Sequence, residues 1–312
     1  MKQRILTSIA IVLTLGLFFV LKTMVSDYFF DVFILGFTIF AAFESSKILT
    51  KVGFMNNLWI VSAFPALIFL SNFLIIYYLL PIWSAILIDL GLILLVSFGV
   101  FIYSLISKST KNEIEVRGLK DSKVKFSFKK FYGMALALTY PTFFIMFMMM
   151  LNHFDMLGFK NIANYNGLLS IIILMFMFLI PIFTDTFAML TGMLFGGKKL
   201  CPKISPKKTI SGAIGGSLWC VLLSACIYLI LYSTSLFYPV LINIPIWTFL
   251  LVVLFGSIIA QAGDLFESFL KRKAGIKDSG RILPGHGGML DRIDSYIFVA
   301  PYLMLAFFLL IL

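Results

Sequence analysis

Charge is what this chain has least of. Of its 312 residues 12% are charged, 14 are acidic and two are histidine. A water-soluble domain carries roughly 25% charged residues, so a soluble enzyme of one or two globular domains is excluded, and so is a disordered tail protein. Cysteine is scarce as well. Cys201, Cys220 and Cys226 give neither an even framework nor a metal-type spacing, which excludes a disulfide-stapled secreted domain and points to reduced, structural thiols. A collagen-like repeat is missing, as are the alternating segments of about ten residues that mark outer-membrane strands. What is present is apolar: 61% of the residues are hydrophobic, Phe alone occurs 35 times, and the mean hydropathy is +1.04. Apolar runs of about 20 residues recur from end to end, the length a helix needs to cross a bilayer. The expected fold class is all-α, a polytopic integral membrane protein.

The runs predict nine spans, at 5–21, 28–43, 57–79, 82–106, 131–151, 167–196, 211–232, 238–262 and 293–312. The first follows Lys2 and Arg4 like a signal peptide, but no small-residue cleavage site succeeds it, so it reads as a helix. With a cytoplasmic N-terminus and strict alternation, 23 of the 25 Lys and Arg fall on the cytoplasmic side and only Lys22 and Lys160 outside. That is the positive-inside pattern, and the odd count leaves the C-terminus external. The net charge of +11 then belongs to short loops facing anionic lipid heads. The densest of them, Lys108 to Lys130, lacks the aromatic platforms of nucleic-acid binding, so no nucleic-acid partner is expected. Neither an internal repeat nor a pair of broken helices is visible, which argues against a secondary transporter. The chain reads as one integral domain, 1–312. Within it, 1–166 holds N-terminal helices and the basic cytoplasmic loop, and 167–312 holds the helices and loops with the polar chemistry.

With so few acids, their placement is informative. Glu113, Glu115 and Asp121 sit among lysines and read as solvated charges; Asp27, Asp31, Glu44 and Asp155 flank spans and read as boundary charges. Asp89 lies inside the fourth span, where an ionisable group is expensive and functional by default, and it has no evident partner in sequence. Asp185 lies deep in an apolar run, four residues after Pro181. A proline-disturbed backbone and a carboxylate at one depth suggest a polar cavity; the plain alternative is a pair with a lysine of the following loop. The remaining acids crowd Gly263 to Asp294. On a continued eighth helix Asp264, Glu267, Ser268 and Lys271 share one face. A turn-rich run, Pro284-Gly285-His286-Gly287-Gly288, follows, and then Asp291 and Asp294 open the last helix on one side. Each part has an ordinary explanation, since aspartates cap helices and Lys or Arg near a membrane face snorkels. Their co-location fits hard carboxylates holding Mg²⁺ and cations neutralising a polyphosphate.

The stretch Ser268-x-Leu270-Lys271-Arg272-x₄-Lys277-Asp278-x-Gly280-x₂-Leu283-Pro284-x-His286-Gly287-Gly288-x₂-Asp291-Arg292-x-Asp294 resembles the signature of the phosphatidate cytidylyltransferases, the CDP-diacylglycerol synthases. A second block is similar: Asp185-Thr186, Gly192, Gly196, Lys198 and Ser205-Pro206-Lys207-Lys208-Thr209. There the chain departs from the family, with Ile210-Ser211-Gly212 where Trp-Glu-Gly is usual. The resemblance covers roughly residues 180–300. It implies that CTP and phosphatidate yield CDP-diacylglycerol and pyrophosphate with Mg²⁺, a second cation being left open. The lipid phosphate would attack the α-phosphorus of CTP, with catalysis by positioning and charge stabilisation. On that reading Asp264, Asp291 and Asp294 surround the metal, with Asp185 and Glu267 as helpers. Lys271, Arg272, Lys277, Arg281 and Arg292 are candidates for phosphate groups, and Ser205, Lys207, Lys208 and Thr209 for a second phosphate-facing loop. Ser268, Gly287 and Gly288 join the substrate site, and His286 either bonds a phosphate or locks the turn. The implied partners are CTP, phosphatidate and membrane lipids, in a bacterial plasma membrane, with pairing into a homodimer left open. A CTP-dependent enzyme on another lipid, such as a polyprenol kinase, is the alternative within the same chemistry; a transporter is the alternative outside it.

Overall fold

The computed structural model describes residues 2–78, 80–107, 110, 113–114, 122–156, 167–283, 285 and 287–311. His286, Pro284, Glu115, Asp121, Lys160 and much of the stretch between Lys108 and Lys130 lie outside the described residues. Long apolar runs become long helices because lipid offers no partner to backbone N–H and C=O groups, so each segment must bond its own. In chain order these are α1 (Lys2–Met24), α2 (Tyr28–Val52), α3 (Leu58–Tyr77), α4 (Ile82–Ile106), α5 (Lys123–Leu138), α6 (Phe144–Asn152) and α7 (Leu168–Phe195). A two-stranded antiparallel hairpin, β1 (Lys199–Cys201) and β2 (Ser205–Thr209), precedes α8 (Ile210–Tyr232), α9 (Tyr238–Leu241), α10 (Ile246–Lys273) and α11 (Leu290–Ile311). Among the described residues eight helices, α5 and α6 counted as one, are long and apolar enough to cross a membrane; α1 is a further helix whose described apolar part is Leu13–Met24. The protein is a multi-pass membrane protein.

Three spans differ from expectation, each for a local reason. The second does not stop at residue 43 but runs to Val52, because Glu44, Ser45 and Ser46 are buried against protein rather than facing water. Ser45 Oγ donates to the Tyr140 carbonyl at 3.3 Å and Ser46 Oγ to Asn56 Oδ1 at 2.8 Å. The fifth starts early, at a Ser122 cap, and breaks at Thr139–Phe143, where Tyr140 adopts φ −106°, ψ 120°. The residue before a proline, here Pro141, is pushed out of the helical region. The eighth splits: Tyr238–Leu241 is a separate turn, and α10 begins after Pro245 and continues to Lys273. The hairpin was not foreseen. Its strands are too short to show an alternating pattern.

Burial sorts the helices. All of α6 from Ile145 to Asn152 is buried, as expected of a helix apolar on every side. By contrast α4 and α8 expose Leu94, Leu95 and Phe98, and Leu218, Leu222 and Ile230, a surface suited to lipid. Hydroxyls tie α7, α8 and α10 together inside the bundle: Thr184 Oγ1 donates to Ser257 Oγ at 2.9 Å, and Ser257 Oγ to Ser217 Oγ at 2.8 Å. Such bonds are worth about 1 kcal/mol each between membrane helices. Asp89 is also explained here. Its two oxygens accept from Ser71 Oγ at 2.8 Å and Asn72 Nδ2 at 2.7 Å, so it has partners on α3 and joins α3 to α4.

Polar side chains gather at both ends of the bundle. At one end Asp31, wholly buried, accepts from Asn152 Nδ2 at 2.8 Å and lies 2.6 Å from His153 Nε2. Beside it Lys22 pairs with Asp27 at 2.5 Å and donates to the Asn152 carbonyl, while Asp155 accepts from the Ser170 amide at 2.8 Å. Asp31 is therefore no boundary charge. The other end, about 20 Å away along α2 by helical rise, holds Glu44 and the residues of the resemblance.

Candidate active site

Five pieces of chain meet at this second end: the last turns of α7, the hairpin, the end of α10, the loop 274–289 and the start of α11. Helices α10 and α11 cross closely at Gly263, where a Cβ would meet the Asp294 carbonyl at 2.8 Å and the Phe298 ring at 3.1 Å. That approach sets Asp264 beside Asp294. Asp264, Glu267, Ser268 and Lys271 do share one face of α10, as their spacing predicts. Ser268 Oγ donates to Asp264 Oδ1 at 3.3 Å.

Lys271 bridges two carboxylates, with Nζ 2.5 Å from Glu267 Oε2 and 2.6 Å from Asp291 Oδ1. Glu267 is fully buried. Asp291 is the most bonded acid of the group: besides Lys271 it accepts from the Ser279 amide at 3.0 Å and the Gly288 amide at 2.8 Å. It thereby holds the loop at Ser279 and Gly288 against the first turn of α11. Gly287, with φ 86°, passes so near that a Cβ there would meet Asp291 Oδ2 at 2.6 Å.

Asp185, Asp264 and Asp294 lie within electrostatic reach of one another. Lys208 on β2 forms an ion pair with Asp264, and Asp294 Oδ1 accepts from its neighbouring Ser295 amide at 2.7 Å. Asp185 is exposed on α7. Three acids therefore crowd a space that Lys208 and Lys271 only partly neutralise. Their chemistry fits a hard cation with oxygen ligands. They do not form a closed shell: among the described residues no three His, Cys, Asp or Glu side chains are grouped as around a metal ion.

The rest of the hairpin supports the cluster. Thr209 caps α8, accepting from the Gly212 amide at 3.1 Å, and Ser211 donates to the Gly196 carbonyl, a bond that closes the turn after α7. Ser205 pairs in register with Cys201, and Lys207 is exposed. Arg272 donates from Nε to the Ile204 carbonyl at 3.2 Å and from Nη1 to the Ile276 carbonyl at 3.4 Å, tying the hairpin to the end of α10. Lys277, Arg281 and Arg292 stand exposed around the rim.

Two residues of the N-terminal half reach the cluster unannounced by any motif. Glu44, read from sequence as a boundary charge, is 2% exposed and bonded to the loop. Tyr140, packed edge-on to Phe266, is buried with a hydroxyl that lacks a partner, within electrostatic reach of Glu267, Asp291 and Asp294. Only polarity inside an apolar run could have signalled either.

A model described as the cytidylyltransferase family matches residues 2–310. Among curated proteins, the chain is 49% identical over 130 residues to a phosphatidate cytidylyltransferase of Staphylococcus haemolyticus, covering 42% of this chain and 46% of that one. Proteins of the same name from Staphylococcus saprophyticus and Staphylococcus aureus are 46% and 49% identical over the same length and shares. The chain spans about half the length of the curated relatives it matches.

Proposed function

The chain belongs to the cytidylyltransferase family, and from that premise we propose that it is a phosphatidate cytidylyltransferase, a nucleotidyltransferase converting CTP and phosphatidate into CDP-diacylglycerol and pyrophosphate. One observation carries the reading: basic and acidic side chains of α7, the hairpin, α10 and α11 converge at the rim of a membrane bundle. At that depth a water-soluble nucleotide can meet a lipid head group. Exposed Lys207, Lys277, Arg281 and Arg292 would draw in the triphosphate. Lys271, held between Glu267 and Asp291, keeps a fixed positive charge beside the reacting phosphates without side-chain reorganisation.

Asp264 and Asp294, with Asp185, would hold Mg²⁺, Asp264 giving up its contact with Lys208 to do so, whereas Asp291 holds the loop. The chemistry a bound Mg²⁺ supplies is neutralisation of the triphosphate and of the leaving pyrophosphate. Lys208 would exchange its contact with Asp264 for a phosphate oxygen as the nucleotide enters. The positive-inside distribution supports a cytoplasmic position for this rim, with Lys47, Lys51 and the hairpin lysines. The relatives are bacterial, which supports a plasma membrane as the location.

Purified protein, phosphatidate in detergent and CTP labelled at the α- or the γ-phosphorus test the reading. Lipid-soluble product carrying the α label, and none carrying γ, is expected. Transfer of the γ label to a polyprenol acceptor would replace the reading with a kinase.

A further inference from the structure

Glu44 lies on α2, far in sequence from every motif, yet its carboxylate is built into the loop before α11. Oε2 accepts from Ser279 Oγ and from the Leu290 amide, each at 2.9 Å. Oε1 is buried without a hydrogen-bond partner. The loop wraps it so closely that a Cβ at Gly280 would overlap Oε1 and one at Gly288 would overlap both oxygens. Asp291 holds the same loop from the other side, through the Ser279 and Gly288 amides. Ser279 is the shared member, giving its hydroxyl to Glu44 and its amide to Asp291. A continuous chain therefore runs Glu44, Ser279, Asp291, Lys271, Glu267.

We propose that Glu44 is a positioning residue for this site: it fixes Ser279 and the first turn of α11, and through them the place of Asp291 and Lys271. A buried carboxylate bonded to neutral donors is costly to keep unless those donors are well aimed, so the loop has one favoured shape on Glu44. The effect on turnover rests on the function proposed above; the fastening of the loop does not.

Glu44→Asp keeps the charge and withdraws it by one methylene, beyond reach of both donors. Ser279→Ala removes only the hydroxyl. The expected result is a roughly tenfold fall in kcat/KM for CTP in each, carried mainly by KM for CTP with KM for phosphatidate unchanged. The double variant should be no worse than the poorer single one, since residues in one network are not additive. Trypsin should cut faster after Lys277 and Arg281 in both variants. If Glu44→Asp does not fold, Ser279→Ala carries both readouts. Unchanged kcat/KM per folded molecule, or fully additive losses, would overturn the proposal. If the parent protein makes no CDP-diacylglycerol, the functional reading falls instead. Trypsin then decides alone, and unchanged cleavage after Arg281 would sink the inference.

Discussion

The two ends of the bundle bury similar side chains to different purpose. At the Asp31 end each acid has its own donor: Asp27 has Lys22, Asp31 has Asn152 and His153, and Asp155 has Ser170. At the Asp264 end the acids face one another, Lys208 and Lys271 are shared among them, and exposed lysines and arginines ring the opening. Partnered polar groups lower the cost of burial and fasten helices. Crowded like charges raise that cost and are tolerated where a ligand of opposite sign completes them. The comparison separates a fastening from a site without appeal to any motif.

The sharpest way to break it is Asp31→Ala. This leaves His153 buried without its acceptor and Asn152 with only the Asp27 carbonyl, and should cost about 3 kcal/mol of stability, read as a lower unfolding midpoint in detergent, with kcat/KM per folded molecule preserved. A loss of catalysis without a loss of stability would mean that both ends are functional. Asp264→Asn should do the reverse. Activity should drop about a hundredfold, about 2.7 kcal/mol of transition-state stabilisation, while the unfolding midpoint holds or rises as the crowding is relieved. Near-normal turnover there would remove the metal role. Arg272→Lys keeps the charge but cannot reach the Ile204 and Ile276 carbonyls together; a roughly tenfold loss in kcat/KM for CTP, about 1.4 kcal/mol, is expected from a loosened hairpin. An unaltered enzyme would reduce Arg272 to a surface anchor. The smallest effect belongs to Asp89→Asn, which keeps one acceptor for Ser71 or Asn72 and should cost about 1 kcal/mol or less of stability with turnover untouched.

The helices were legible because crossing a bilayer demands about 20 apolar residues in a row, a signal contained within each segment. The α10 face was legible for the same reason, as four residues at helical spacing need no distant information. Span ends were misread where polarity belongs to buried partners: Glu44, Ser45 and Ser46 look like the edge of the membrane in sequence and are packed against Tyr140, Asn56 and the loop. The pairing of Lys208 with Asp264 was foreseen only in kind, as a lysine of the loop after α7 meeting an acid; sequence pointed to Asp185 as the partner. The bonds of Glu44 left no trace at all. They join residues separated by 235 and 246 positions, and nothing local encodes such a contact.

That separation also bears on how the molecule is made. Membrane helices enter the bilayer in order of synthesis, and contacts between distant segments close last because their loop entropy must be overcome first. Glu44 is inserted with the second helix, and its partners Ser279 and Leu290 leave the ribosome some 240 residues later. Until then a carboxylate waits in a half-built bundle without its donors. The site is therefore complete only once the last helix has docked. A nascent chain stopped before Leu290 would carry Lys208, Asp264 and Lys271 and still lack Asp291, Asp294 and the Leu290 amide that completes the clasp on Glu44.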